Sequence, residues 1–182
     1  MNKTILAVVG LAGAGKTEVT QYLIKKTGWP KVYFGQPTFD ELKKRGLEVN
    51  EANERKVREE LRAQHGMAAF AVLSLPKIRE AYQSSHVIIE SLYSWEEYLT
   101  VKQEFGDSFK VLAIFSSFAT RAQRLAARPV RPLTVQDLQS RDYSQIENLH
   151  QAGPIARADF TIVNEGSREG LCRKIDEILK LI

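Results

Sequence analysis

The chain has 182 residues, 26 Lys and Arg against 22 Asp and Glu for a net charge of +4, and 43% hydrophobic residues. That is enough chain for one compact domain with a real core, which excludes disordered, fibrous and multi-domain classes. A single cysteine, Cys172, rules out an internal disulfide and a Cys-rich zinc site, and the mild, interspersed positive charge suits anionic ligands without marking a nucleic-acid binder.

Short apolar runs alternate with longer stretches of helical period. Residues 4–9, 31–34, 86–89, 110–115 and 160–163 are too short for helices and several are rich in β-branched side chains, so they read as five strands. Residues 16–26, 38–45, 50–64, 67–83, 94–104, 119–128 and 166–181 carry the helical pattern. Strands alternating with helices predict an α/β fold with a parallel sheet covered on both faces. The apolar residues 5–14 after Lys3 imitate a secretory leader, but the run is much shorter than the roughly 20 residues of a membrane span. The expectation is a soluble, cytoplasmic protein with neither a membrane nor a nucleic acid as partner.

The first strand runs into Gly10-Leu11-Ala12-Gly13-Ala14-Gly15-Lys16-Thr17, which satisfies G-x-x-x-x-G-K-[ST] between a strand and a helix. Glycines let the backbone turn tightly and aim successive N–H groups inward, and the following helix offers its positive end to the same point. Gly10, Gly13, Ala14 and Gly15 therefore form the candidate phosphate cradle. Lys16 is placed at the β and γ phosphates, and Thr17 offers its hydroxyl to Mg²⁺. The cofactors implied are ATP and Mg²⁺.

Residues 35–85 interrupt the alternation with an almost wholly helical stretch, an insert. Within it Glu51 and Glu54 precede Arg55 and Arg58 by four residues, the spacing of surface ion pairs, which leaves Arg62 without such a partner and free for an acceptor phosphate. Glu90 closes the third strand, as expected for a carboxylate that holds the metal opposite Thr17. Gly35 and Ser116, also at strand ends, face the same crevice. Arg121, Arg124 and Arg128 recur at helical spacing and form a basic face leading to residues 129–154. That polar stretch, with Pro129, Pro132 and a helix start at Thr134, reads as a lid carrying Arg131 and Arg141. The domain is thus expected to consist of a core at 1–34, 86–128 and 155–182, the insert at 35–85 and the lid at 129–154. His65, His86 and His150 have no ligand spacing and read as structural.

The chain resembles the nucleoside monophosphate kinase-like P-loop proteins and, more narrowly, an uncharacterised, largely archaeal group related to adenylate kinase and dephospho-coenzyme A kinase. The residues that carry the likeness are Val8 to Lys16, Leu61-Arg62-Ala63-Gln64-His65-Gly66-Met67, Thr120-Arg121-Ala122-Gln123-Arg124-Leu125, Arg141-Asp142 and Ala158 to Ser167. The resemblance implies a P-loop NTPase fold of three layers, α/β/α, around a five-stranded parallel sheet. It also implies that Arg124 flanks the ATP base, that Arg128 clamps phosphate, that Arg141 is the lid arginine and that Asn164 lies near the adenine. Two acceptor-side positions depart from the family pattern. Gly35-Gln36-Pro37-Thr38-Phe39-Asp40 stands where adenylate kinases have Gly-Asp and a nearby Arg, and Glu90-Ser91-Leu92-Tyr93 where they have Asp-Gly and an Arg. Gly35, Arg62 and Tyr93 are the candidate acceptor-side residues.

Three functions remain open on the sequence. The first is an ATP- and Mg²⁺-dependent phosphotransferase acting on a nucleoside monophosphate or similar small phosphorylated metabolite, with Lys16, Arg128, Arg141 and Glu90 as its catalytic set. The second is a kinase of a hydroxyl on a nucleoside or coenzyme A precursor-like metabolite, with Glu90 as base. The third is an ATP-binding switch or slow ATPase acting with a protein partner.

Overall fold

Hydrophobic runs decide the sheet. β1 (Ile5–Val9), β3 (Val87–Glu90) and β4 (Phe109–Phe115) are buried along most of their length, as strands covered on both faces must be. With β2 (Lys31–Tyr33) and β5 (Phe160–Val163) they pair in parallel in the order β2-β3-β1-β4-β5, in a computed structural model that describes residues 3–182.

Successive strand residues face opposite layers. Ile5, Ala7 and Val9, with Val111 and Ala113, pack toward α3 (Glu51–His65), α4 (Ala69–Ser84) and α5 (Trp95–Phe105). Leu6, Val8, Leu112 and Ile114 pack toward Val19 and Leu23 of α1 (Lys16–Thr27) and Leu171 and Ile175 of α9 (Arg168–Leu179). The result is the three-layer α/β/α architecture of a P-loop protein. β1 lies at the centre with β3 on one side and β4 on the other, so the loops leaving its carboxyl end diverge and open a crevice.

Helix starts are set by caps. Asn50, Ser94, Ser117, Thr134 and Ser167 each accept a hydrogen bond from the backbone N–H three residues on. The helices therefore begin one residue beyond Asn50 and Ser94, and α9 is shorter at both ends than residues 166–181. α2 (Gln36–Lys44) starts earlier than expected because Pro37, in its first turn, has no N–H to leave unpaired. After α6 (Phe118–Ala126), residues 129–154 form α7 (Val135–Tyr143), a π-helical turn at Ser144–Asn148 and α8 (Ala152–Ala156). Only the start at Thr134 shows in the sequence, because α8 is five residues long and contains Gly153 and Pro154. Among the described residues no helix is long and apolar enough to cross a membrane.

Candidate active site

The loop between β1 and α1 needs its glycines. Gly10, Gly13 and Gly15 have φ of 141°, 81° and 104°. A Cβ on Gly10 would lie 2.3 Å from the Ile114 carbonyl oxygen, and one on Gly15 would lie 2.4 Å from Asn164 Nδ2. The turn closes with Ala14 N–H donating to the Leu11 carbonyl at 3.2 Å, and α1 begins at Lys16 with its first amides directed to the loop. Lys16 Nζ folds back and donates to the carbonyls of Gly10 at 2.6 Å and Leu11 at 3.0 Å. Burial lowers the Lys16 pKa to about 8, aided by Arg141, Arg121 and Arg128 and opposed by Glu90. This point therefore carries excess positive potential, which an anion would relieve. Thr17, Glu90, Arg124, Arg128 and Arg141 join Gly13, Gly15 and Lys16 around one cavity of about 410 Å³.

A second cavity, of about 750 Å³, lies between residues 35–85 and 129–154 and includes Gly35, Arg62 and Tyr93. The two cavities share Ser91, Tyr93, Arg128 and Arg141. Neither Arg128 nor Arg141 has an ion-pair partner among the described residues, so two guanidinium groups stand uncompensated where the cavities meet. Ser91, at the same junction, holds φ 68°, an uncommon conformation for a residue with a side chain.

Several side chains depart from their expected places. Glu90 does reach the loop cavity, since it pairs with Val8 of β1, but Lys31 Nζ donates to its carboxylate at 2.6 Å. The sequence hides that pair because it arises from β2 running beside β3. A role for Glu90 at a metal or as a base requires it to share or release Lys31. Arg124 lines the loop cavity and donates to Ser116 Oγ at 3.0 Å. Asn164, placed near adenine by the resemblance, is buried and donates to the Ala14 carbonyl at 2.9 Å; it lines neither cavity and braces the loop from behind.

Arg121 does not belong to an open basic face with Arg124 and Arg128. It is buried, with Nη1 and Nη2 bonded to Asp142 at 2.9 and 2.7 Å, and it also donates to the carbonyls of Ala12 at 3.1 Å and Ser116 at 3.2 Å. It bolts α6 and α7 to the phosphate loop. Arg55 pairs with Glu59 rather than Glu51, whereas Arg58 takes both Glu51 and Glu54. Arg62 has no ion pair among the described residues; it lies over the Phe70 ring, and burial lowers its pKa.

Sequence reasoning missed two supports. Gln151, fully buried, donates from Nε2 to the Gly10 carbonyl at 3.1 Å, and no local pattern points to it. Glu97 is also fully buried; its Oε2 accepts from the N–H groups of Tyr93 at 2.7 Å and Ser94 at 3.1 Å. Burial raises its pKa to about 7 against the pull of those amides and of Arg62. Ser94-Trp95-Glu96-Glu97 is a capping-box sequence and could have flagged it.

The donor set fits Mg²⁺. Among the described residues no three His, Cys, Asp or Glu cluster as a cage, but Mg²⁺ is commonly held by one or two protein oxygens together with phosphate and water. The Thr17 hydroxyl and the Glu90 carboxylate, on the rim of one cavity, supply that number.

Residues 6–149 match the family model described as an AAA domain. The chain is 31% identical to a UPF0200 protein of Thermococcus onnurineus over 98% of this chain and 97% of that one. It is 33% identical to a UPF0200 protein of Thermococcus kodakarensis, over 96% and 98% of the two chains. Among solved structures, a shikimate kinase from Bacteroides thetaiotaomicron superposes with a TM-score of 0.61 at 16% identity, covering 97% of this chain and 98% of that one. A gluconokinase from Sinorhizobium meliloti superposes with a TM-score of 0.60 at 13% identity, covering 99% and 94%. At such identities the likeness is one of fold.

Proposed function

The chain belongs to the UPF0200 family, matches an AAA domain model and shares its fold with a shikimate kinase and a gluconokinase, and from that premise we propose that it is an ATP- and Mg²⁺-dependent phosphotransferase. Its acceptor is a nucleoside monophosphate or a similar small phosphorylated metabolite, bound between residues 35–85, acting as an acceptor insert, and residues 129–154, acting as a lid. The observation that carries this reading is the junction. A cavity built on the phosphate loop adjoins a larger one, and Arg128 and Arg141 line both. Transfer of a phosphoryl group needs positioning and neutralisation of charge on the moving oxygens, and two unpaired guanidinium groups at the passage supply both.

In this reading the amides from Gly13 to Thr17 hold the triphosphate and Lys16 turns from the carbonyls of Gly10 and Leu11 to the phosphate oxygens. Thr17 and, once it shares or releases Lys31, Glu90 would hold Mg²⁺, whose chemistry would be to neutralise and orient those oxygens. Arg124, at the mouth of the loop cavity, is placed for the nucleotide's outer part. Tyr93 and Ser91 close the passage between the two ligands.

The test is ADP formation by purified protein across a panel of acceptors. Acceptor-dependent turnover supports the reading; a slow rate indifferent to every acceptor removes it and leaves an ATP-driven switch. One observation favours a hydroxyl acceptor as a second reading. Glu90 adjoins Ser91 at the junction, and of the arginines α3 contributes to the larger cavity only Arg62 is uncommitted. Glu90→Gln separates the two. A loss of turnover far beyond the loss of Mg²⁺ affinity identifies a base acting on a hydroxyl, whereas a phosphate acceptor, already anionic, tolerates the change better.

A further inference from the structure

β3 ends at Glu90, and residues 91–94 then cross the place where the two cavities meet, with Ser91 and Tyr93 lining both. The segment belongs to no helix or strand. Ser91 holds φ 68°, which a residue with a side chain keeps only where its surroundings impose it. Those surroundings are specific. Leu92 is buried in the core, and the Ser94 hydroxyl donates at 2.8 Å to the Met67 carbonyl, in the turn between α3 and α4. The N–H groups of Tyr93 and Ser94 both donate to Oε2 of Glu97, at 2.7 and 3.1 Å. Two of the ties therefore end on one side chain, which itself lines neither cavity.

A capping box needs an accepting oxygen at this helical position, and Gln supplies one as well as Glu. Here a carboxylate stands instead, fully buried, with its second oxygen Oε1 unpaired among the described residues. Such a group is costly to ionise. The charges that face it are Arg62 of α3, which favours the ionised form, and Glu96 of its own helix, which opposes it. Glu96 in turn lies 3.2 Å from His150 Nδ1, in the turn before α8. With its pKa raised by burial to about 7, Glu97 occurs in both protonation states near neutral pH. The charged form draws the two N–H groups about twice as strongly as the neutral one.

We infer that Glu97 is a positioning residue for the passage: through the N–H groups of Tyr93 and Ser94 it sets where Tyr93 and Ser91 stand between the two ligands, and its ionisation tightens that hold. The two ligands rest on the phosphotransferase reading, whereas the hold on Tyr93 is a property of the free protein. The sign of the pH effect sets this role apart from a structural one. Charging a buried carboxylate weakens the fold as pH rises through 7, so a group that only supports the fold makes turnover fall over that range. A group that positions Tyr93 makes it rise.

The amide shifts of Tyr93 and Ser94 are followed by nuclear magnetic resonance in the free protein across neutral pH. Both titrate together with a midpoint of about 7, and Glu97→Gln, which keeps an accepting oxygen but cannot ionise, abolishes the titration. Amides that stay fixed in the wild type, or move identically in the variant, overturn the inference. Turnover is measured in parallel with whichever acceptor supports ADP formation. The ratio of wild-type to Glu97→Gln kcat/KM for that acceptor rises roughly 3- to 10-fold between about pH 6 and 8, while their ATP affinities stay within about twofold of each other. Glu97→Ala lowers the acceptor kcat/KM roughly 10- to 100-fold and Glu97→Gln recovers most of it; should Glu97→Ala fail to fold, the ratio decides alone. A ratio that stays flat or falls overturns the inference and leaves the phosphotransferase reading intact. If no acceptor supports turnover, that reading falls, and the amide titration by itself decides whether Glu97 holds Tyr93.

Discussion

The two cavities are finished to different degrees. Around the phosphate loop most polar groups find partners within the protein, Lys16 on the carbonyls of Gly10 and Leu11, Gln151 Nε2 on Gly10, Asn164 on Ala14, and Arg121 on Asp142, Ala12 and Ser116, while Gln151 Oε1 stays unpaired. The larger cavity, walled by helices from two excursions, keeps Thr38, Arg62 and Gln145 with unpaired buried atoms. A sheet-anchored loop can be preorganised because its supports are core residues, whereas the walls of the larger cavity lie on separate excursions from the sheet.

Disabling the support should therefore damage the fold, and disabling the loop should damage only chemistry. Arg121→Ala leaves Asp142 buried and uncompensated, and a loss of about 3–5 kcal/mol in denaturant unfolding is expected. Arg121→Met with Asp142→Leu should recover most of it, since an apolar pair of similar size avoids the stranded charge. A loss under about 1 kcal/mol for the single variant would mean that the contrast is drawn too sharply. Lys16→Ala acts the other way: turnover falls roughly 100- to 1000-fold while the unfolding midpoint scarcely moves, because the Gly10 carbonyl keeps its bond from Gln151 and Leu11 is only partly buried.

A smaller effect follows from the potential at the loop. Lys16 titrates at about 8 in the free protein, and a bound triphosphate raises that value, so binding takes up a proton. Affinity should be steady below pH 8 and fall by up to about tenfold per unit above it, measurable by calorimetry in two buffers of different ionisation enthalpy. No proton uptake at pH 8 to 9 would mean that the lysine is already charged. In the free protein stability rises with pH between about 8 and 10.5, where the unfolded chain binds the extra proton.

The smallest effect lies behind the larger cavity. Glu97 is raised from 4.5 to about 7, so the folded state holds the extra proton and this group's contribution is full below pH 4.5 and lost as pH rises through 7. Glu97→Gln keeps an oxygen for the Tyr93 and Ser94 amides and should flatten that slope, gaining about 1 kcal/mol or less at pH 8. An unchanged slope in unfolding measured from pH 5 to 8 would place the titration elsewhere.

Much was legible before folding. Strand and helix periods gave the three layers, glycines at 10, 13 and 15 with Lys16 gave the loop, and Ser94 and Thr134 marked helix starts through their own side chains. These depend on neighbours within a few residues, where spacing and local chemistry decide conformation. Glu97 was readable in the same way through its capping box.

What only the tertiary structure decided is which charges remain available. Arg121, Arg124 and Arg128 look alike along one helical face, yet Arg121 is sealed against Asp142, Arg124 meets Ser116 and Arg128 stands open at the junction. Glu90 met Lys31 only because β2 lies beside β3, and Thr38, Arg62 and Gln145 gathered only because two excursions close on one space. The physical reason is that a residue's period and cap are fixed by bonds to its near neighbours. The fate of a charge or an amide depends on partners tens of residues away, brought together when the apolar faces of the sheet and its helices bury one another.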